Sequence, residues 1–332
     1  MQASLTPAEL GSFVSTGELP ELARVRELVG QAHALYSGNE KGQNAQVYPA
    51  LARVASHLFG ICVVDRRGHA VAVGDSEHEF SIMSVSKPFV FALMCERLGP
   101  LRAHERLGVN ATGLPFNSLE AVERSGDGRT NPMVNAGAIA TTSLAPGTDA
   151  AAKWRFLCDG LARFAGRPLA VDEEIYASAS ATNARNHSIA RLLQSYGRLY
   201  CAPAEAVDLY TRQCSLRVSA RDLAVMGATL ADGGVNPVTG EAVIDPETCH
   251  YVLAVMLTAG MYETSGEWLY HVGLPAKSGI GGGIVTVSPG KGGMGTFAPL
   301  LDPAGNSVRG QLAARFLSAQ LGMDLLISKS VQ

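Results

Sequence analysis

The chain has 332 residues, 47% of them hydrophobic and 17% charged, with a formal net charge of −3. That balance excludes a disordered polar chain and suits one that buries a large core, in two ordinary domains or one with a long insertion. The 21 Arg and six Lys are scattered rather than striped, so no nucleic-acid partner is expected; apolar runs such as residues 89–95 are far too short to span a bilayer.

Residues 5–55 read as helical. Thr6-Pro7-Ala8-Glu9 supplies a cap, a first-turn proline and a capping-box acid, and Leu19, Leu22, Val25, Leu28 and Val29 recur at helical spacing. No basic leader followed by an apolar run opens the sequence, so the cytoplasm is the expected location. Residues 58–75 read as a β-hairpin, two apolar runs joined by the turn Asp65-Arg66-Arg67-Gly68. Residues 84–98 form an apolar helix stopped by Gly99-Pro100.

From 101 to 262 the pattern is mostly helical. Asp172 reads as a cap, Ile189, Leu192, Leu193 and Tyr196 as a helix face, and residues 223–230 as a further apolar stretch. Strand patterns resume at residues 268–272, 282–287 and 294–298, with Pro289-Gly290-Lys291-Gly292-Gly293 turning between the last two. A helix over 310–321 closes the chain. The expected class is therefore α/β (α+β). Both chain ends, residues 1–100 and 263–332, build one antiparallel sheet flanked by helices, and residues 101–262 form a helical second domain.

The six Cys form no C-x-x-C pair and the eight His show no H-x-x-x-H spacing, so the sequence carries no local signal for a metal site, though distant residues could still assemble one. Chemistry concentrates elsewhere. Ser84-Val85-Ser86-Lys87 is an S-x-x-K pair, and residues three apart share a helix face. A lysine made neutral by burial can take the proton of a serine, which is a poor nucleophile without a base. Ser288-Pro289-Gly290-Lys291 has the same spacing, but its Pro-Gly turn offers no helix to align the pair. Lys277-Ser278-Gly279 resembles the K-[ST]-G strand that accompanies S-x-x-K in serine acyl-transfer enzymes, where the lysine attracts a substrate carboxylate. Asn131-Pro132-Met133-Val134-Asn135 places an amide side chain at a loop-to-helix junction, where it can both donate and accept. Taken singly, each of these motifs has an ordinary reading as a helix cap, a glycine-rich bend or an Asn-Pro turn.

Residues 80–91, Pro115-Phe116-Asn117-Ser118, residues 131–139, 260–283 and 305–311 resemble the serine-dependent glutaminase family, and the likeness runs from about residue 20 to the C-terminus. The resemblance implies a β-lactamase/penicillin-binding-protein-like sheet domain with a helical domain, and hydrolysis of L-glutamine to L-glutamate and ammonia without a cofactor. It implies a homodimer or homotetramer. By motif, Ser84 is the expected nucleophile, Lys87 its activating partner and Tyr262 a proton relay. Asn135, Asn186 and Tyr210 are expected to bind substrate, and the backbone of Ile280 to join that of Ser84 in an oxyanion hole.

Two positions depart from the family pattern. Ser178 is followed by Ala179 where the family carries the glutamate that pairs with the substrate's α-ammonium, and Val47-Tyr48-Pro49 stands where the family commonly reads Tyr-Ile-Pro. Both fall on substrate recognition. They raise a rival reading, an amidase of the same fold acting on an amide without a free α-amino group. A second rival is a catalytically silent ligand-binding relative, against which the retained Ser84, Lys87, Tyr262 and Lys277 argue.

Overall fold

The structure, a computed structural model, describes residues 17–327. The expected Thr6 cap lies outside these residues.

Strands β1 (Gly60–Asp65) and β2 (Ala70–Gly74) form the hairpin. Two short strands, β3 (Phe80–Ser81) and β4 (Arg217–Val218), pair with each other. Near the C-terminus follow β5 (Ala276–Ser278), β6 (Gly283–Ser288) and β7 (Gly292–Phe297). The main sheet has the order β2-β1-β7-β6-β5 and is antiparallel throughout. The β1–β7 ladder, from Gly60 opposite Phe297 to Asp65 opposite Gly292, joins the two ends of the chain in one sheet.

Alternation along β1 sorts its side chains between two faces. Ile61 and Val63 pack with Ile284 and Met294 against the helices Leu22–Tyr36 and Val308–Gln320, through Val25, Leu28, Val29, Ala313 and Leu317. Cys62 and Val64 point the other way, onto Ala224, Val225 and Ala228 of the helix Ala220–Ala231. On that face β7 offers Gly293 and Gly295 to the helix, with Phe297 beyond them stacked on Phe80. A Cβ on Gly295 would stand 1.9 Å from the Ala220 carbonyl oxygen, and one on Gly293 would stand 2.2 Å from the Ala228 nitrogen, so the helix backbone lies directly on the strand. This helix comes from within residues 101–262, yet it forms a layer of the sheet.

The helices Pro100–Leu107, Asn135–Ser143, Ala150–Ala165 and Pro246–Ala259 pack around Ser86–Leu98, whose residues 86–95 are all buried. A helix apolar on every side is buried on every side. Phe89 packs on Phe164 of the helix Ala150–Ala165, and Ile139, Leu161 and Leu209 belong to the same core.

Two expectations are corrected. Residues 268–272 are not a strand but part of the helix Ser265–Val272. Trp268 and Val272, four apart, bury one face, Tyr270 is exposed, and Gly273 ends the helix at φ +68. The aromatic and β-branched residues imitated a strand, and the capping glycine with the i, i+4 burial decided otherwise. The expected helix over 5–55 covers only Leu22–Tyr36 and Pro49–Ala52 of its described part. Between them Gly42 takes φ +101 and Gln43 pairs with Leu301.

Candidate active site

Ser84 sits in a 3-10 turn, Met83–Val85, that leads into the helix Ser86–Leu98. Met83 has φ +48, an unfavourable conformation for a residue with a side chain. Such strain persists where the surroundings over-determine it, often at functional sites. Here the residue before β4 and the loop after β5 hold the turn. The Ile82 N–H donates to the Leu216 carbonyl, and Gly279 passes so close that an added Cβ would lie 3.0 Å from the Ile82 oxygen and 3.2 Å from the Ser84 nitrogen. Only glycine lets the K-S-G segment approach the serine backbone at this separation. Pro88 falls in the first turn of its helix, where a missing N–H costs nothing.

Lys87 is buried on that helix, and its Nζ donates to the Met133 carbonyl at 3.2 Å and to Asn135 Oδ1 at 2.8 Å. Burial, unopposed by any carboxylate contact, lowers its pKa to about 7. A neutral amine has two N–H donors and one lone pair. Both donors are used here, so the lone pair is left for a proton.

Tyr262 opens a second 3-10 turn, Tyr262–Thr264, at φ +58. Its hydroxyl donates to the Ser278 carbonyl at 3.2 Å, and Ser84 is among the groups that act on it. Burial is the main influence on its pKa, pushed up to about 12, against which the contacts with Ser84 and Ser278 pull down. Its ring packs on Phe116, centroids 4.9 Å apart.

Asn135 begins the helix Asn135–Ser143 and links the two halves of the site. Its Oδ1 accepts from Lys87 and, at 3.1 Å, from the Tyr210 hydroxyl. Its Nδ2 donates to Asn186 Oδ1 at 3.1 Å. Asn186 Nδ2 donates to Asn183 Oδ1 at 2.9 Å, and Asn183 Nδ2 to Thr211 Oγ1 at 2.6 Å. A chain of amides thus runs from Lys87 along one wall of a cleft between sheet and helices.

Ser84, Asn135, Asn186, Tyr210 and Ile280 all line that cleft, whereas Lys87 and Tyr262 stand behind its surface. Ile280 faces Ser84 across the mouth, immediately after Gly279. Ser288 lies elsewhere: its hydroxyl donates to the Met323 carbonyl at 2.9 Å, and Lys291 turns to Gly322.

The two departures also meet in the cleft. Ala179, Val47 and Tyr48 all line it. Among the described residues its lining holds no Asp or Glu, and its one formally charged group is Arg185, whose Nε donates to the Asn117 carbonyl at 2.9 Å. Asp208 and Glu174 face other partners: Asp208 accepts from Tyr176 and Arg212, and Glu174 from Arg53.

Reasoning from sequence missed Asn183, Thr211 and Cys214, which also line the cleft. Asn183 could have been found, because it lies three residues before Asn186 and therefore on the same helical side. Cys214 carries no such local signal. Only the fold brings its thiol against Tyr210, Ser86 and Lys87.

The antiparallel sheet with helices on both faces, the S-x-x-K helix at its edge and the K-S-G strand beside it constitute a β-lactamase-like fold. The glutaminase family model matches residues 42–326. The chain is 65% identical over 317 residues to Glutaminase 2 of Yersinia pestis, which covers 96% of this chain and 93% of that protein. It is 46% identical over 306 residues to the glutaminase of Colwellia psychrerythraea, across 92% of this chain and 98% of that one. Among solved structures, it superposes on one described as "Probable glutaminase ybaS" with a TM-score of 0.91 at 42% identity, covering 93% of this chain and all of that one. A Bacillus glutaminase superposes with a TM-score of 0.81 at 30% identity, over 92% and 99% of the two chains. The chain belongs to the glutaminase family.

Proposed function

We propose that this chain is a glutaminase that hydrolyses the side-chain amide of L-glutamine to L-glutamate and ammonia through an acyl-Ser84 intermediate. The observation that carries the reading is Ser84 on the cleft surface, one helical turn from a buried Lys87 whose pKa lies at about 7.

In this mechanism Ser84 Oγ attacks the amide carbon while its proton passes to the Lys87 lone pair or along Tyr262. The oxyanion is met by the backbone N–H groups of Ser84 and Ile280. The proton then goes to the amide nitrogen, the C–N bond breaks and ammonia leaves. Water attacks the ester, gives up its proton to the same groups and restores Ser84 as glutamate departs. Asn135, Asn186 and Tyr210 hold the polar end of the substrate through the amide chain. No step calls on a metal or another cofactor.

The lining of the cleft favours a second reading at the level of substrate. With Ala179 in place of a carboxylate and Arg185 the charged group present, the cleft offers a partner to a substrate carboxylate but none to an α-ammonium. An amide such as glutaramate, which keeps the carboxylate and lacks the amine, fits that charge pattern. Ammonia release from glutamine, asparagine and glutaramate by purified protein separates the readings. A kcat/KM higher for glutaramate than for glutamine establishes the second, and no release from any amide removes both.

Division into a sheet unit (residues 1–100 and 263–332) and a helical unit (101–262) belongs to this reading. It is supported by the separate apolar cores of the helices and of the sheet's outer face, with Ala220–Ala231 shared between them. A homodimer or homotetramer is proposed with it, a state that sedimentation would read. A cytoplasmic location accords with six cysteines that are all free thiols, and no helix of the described residues is long and apolar enough to cross a membrane.

A further inference from the structure

The K-S-G pattern suggests that Lys277 attracts a substrate carboxylate. The structure places it differently. Lys277 is fully buried and does not line the cleft. Its Nζ lies 3.9 Å from the centroid of the Tyr262 ring and donates to the Ser278 carbonyl at 2.6 Å. The Tyr262 hydroxyl donates to that same carbonyl at 3.2 Å. One acceptor therefore fixes both the amine and the phenol, and the amine covers a face of the ring.

Burying a lysine without a carboxylate is costly, and this one has none against it. Burial, with Lys87 from the helix Ser86–Leu98 adding to it, holds the Lys277 pKa well below the ordinary lysine value, while the Cys214 thiol from the helix Pro203–Cys214 pulls the other way. The amine is thereby held towards its neutral form, and it acts on Tyr262 through contact with the ring and the shared acceptor. Tyr262 faces Ser84 and Cys214, with Glu263 beside it in its own turn.

We propose that Lys277 is a positioning residue for Tyr262: its amine shares the Ser278 carbonyl with the phenol and covers the ring, it keeps the phenol oxygen beside Ser84, and it does not touch the substrate. The proposal rests on the reading in which Tyr262 exchanges a proton with Ser84.

The test replaces Lys277 by Met, which removes the hydrogen bond, and by Gln, which keeps a donor. Each is compared with wild type in glutamine kinetics. In parallel, 3,5-difluorotyrosine at position 262 is followed by fluorine NMR, a readout independent of turnover. Lys277→Met should lower kcat about tenfold to a hundredfold while KM stays within about twofold, and Lys277→Gln should lose less. The two ring fluorines, distinct while the ring is held, should broaden or merge in the Met variant. A raised KM with unchanged kcat would assign Lys277 to the substrate carboxylate and overturn the proposal. So would an unchanged fluorine spectrum in a variant with a native melting profile. If Met does not fold, Gln decides. If Ser84→Ala stays active, the catalytic reading fails, while the fluorine spectrum still decides whether Lys277 positions Tyr262.

Discussion

Lys87 Nζ donates to Asn135 Oδ1 at 2.8 Å, so the candidate base is tied directly to the side chain that starts the chain of amides proposed to bind substrate. The second donor goes to Met133, and burial without a counter-ion brings the amine's pKa to about 7. Base and binding wall therefore share one hydrogen-bonded frame.

That frame fixes a pH dependence. The amine must be neutral to accept a proton, so kcat/KM for amide hydrolysis should rise through an acid limb centred at about pH 7. Lys87→Arg should be inactive, since a guanidinium stays charged. A pH–rate profile on both proteins checks this, and an active Arg variant removes Lys87 from the chemistry.

The same shift affects stability. Lys87 titrates at about 7 in the fold and roughly 10.4 in the unfolded chain, so between those values the unfolded state binds the extra proton. Wild-type stability relative to Lys87→Met should rise as pH climbs from about 7 towards 10, and the lysine should burden the fold most below pH 7. Melting temperatures of the two proteins across that window should diverge in this direction; parallel curves would mean that Lys87 is not depressed.

Ser84→Ala should abolish ammonia release. Ser288→Ala should leave it near normal and lose only the bond to Met323, about 1 kcal/mol of stability. Near-normal turnover by the Ser84 variant would refute the acyl-serine mechanism.

Gly279→Ala places a methyl group 3.0 Å from the Ile82 oxygen and 3.2 Å from the Ser84 nitrogen. The strand must yield by a few tenths of an ångström, which tilts the oxyanion donors. We expect kcat to fall roughly tenfold or more with a small change in melting temperature. Gly295→Ala, whose methyl would stand 1.9 Å from the Ala220 oxygen, should instead unfold the protein or cost more than about 3 kcal/mol. Equal stability losses in the two variants would contradict this division between site and scaffold.

Ala179→Glu would introduce the only carboxylate of the cleft lining. It should raise kcat/KM for glutamine about tenfold to a hundredfold, the worth of one charged hydrogen bond, and leave glutaramate unimproved because that substrate has no cation to pair. Equal effects on both substrates would mean that Ala179 does not face the α-ammonium. Arg185 lines the same cleft and can compete for the new carboxylate, so a double variant with Arg185→Gln measures their coupling.

What the sequence determined by itself was local. Three-residue spacing put Ser84 and Lys87 on one helical side, the Pro-Gly turn separated Ser288 from Lys291, and alternation marked the β1–β2 hairpin, since helix and strand periods are carried by near neighbours. The seven-residue offset from Asn186 to Ala179 marked the missing carboxylate only through the resemblance to the family. Tertiary structure decided what depends on distant segments meeting. Residues 220–231 are helical by pattern, but only the glycines of β7 let them lie on the sheet. Residues 268–272 have a strand's composition, but their place against the C-terminal helix and the cap at Gly273 made them helical. The lysine of K-S-G looked outward by motif. It turns inward, its amine on the Ser278 carbonyl and over the Tyr262 ring, a contact between a strand and a turn 15 residues before it that no local period encodes.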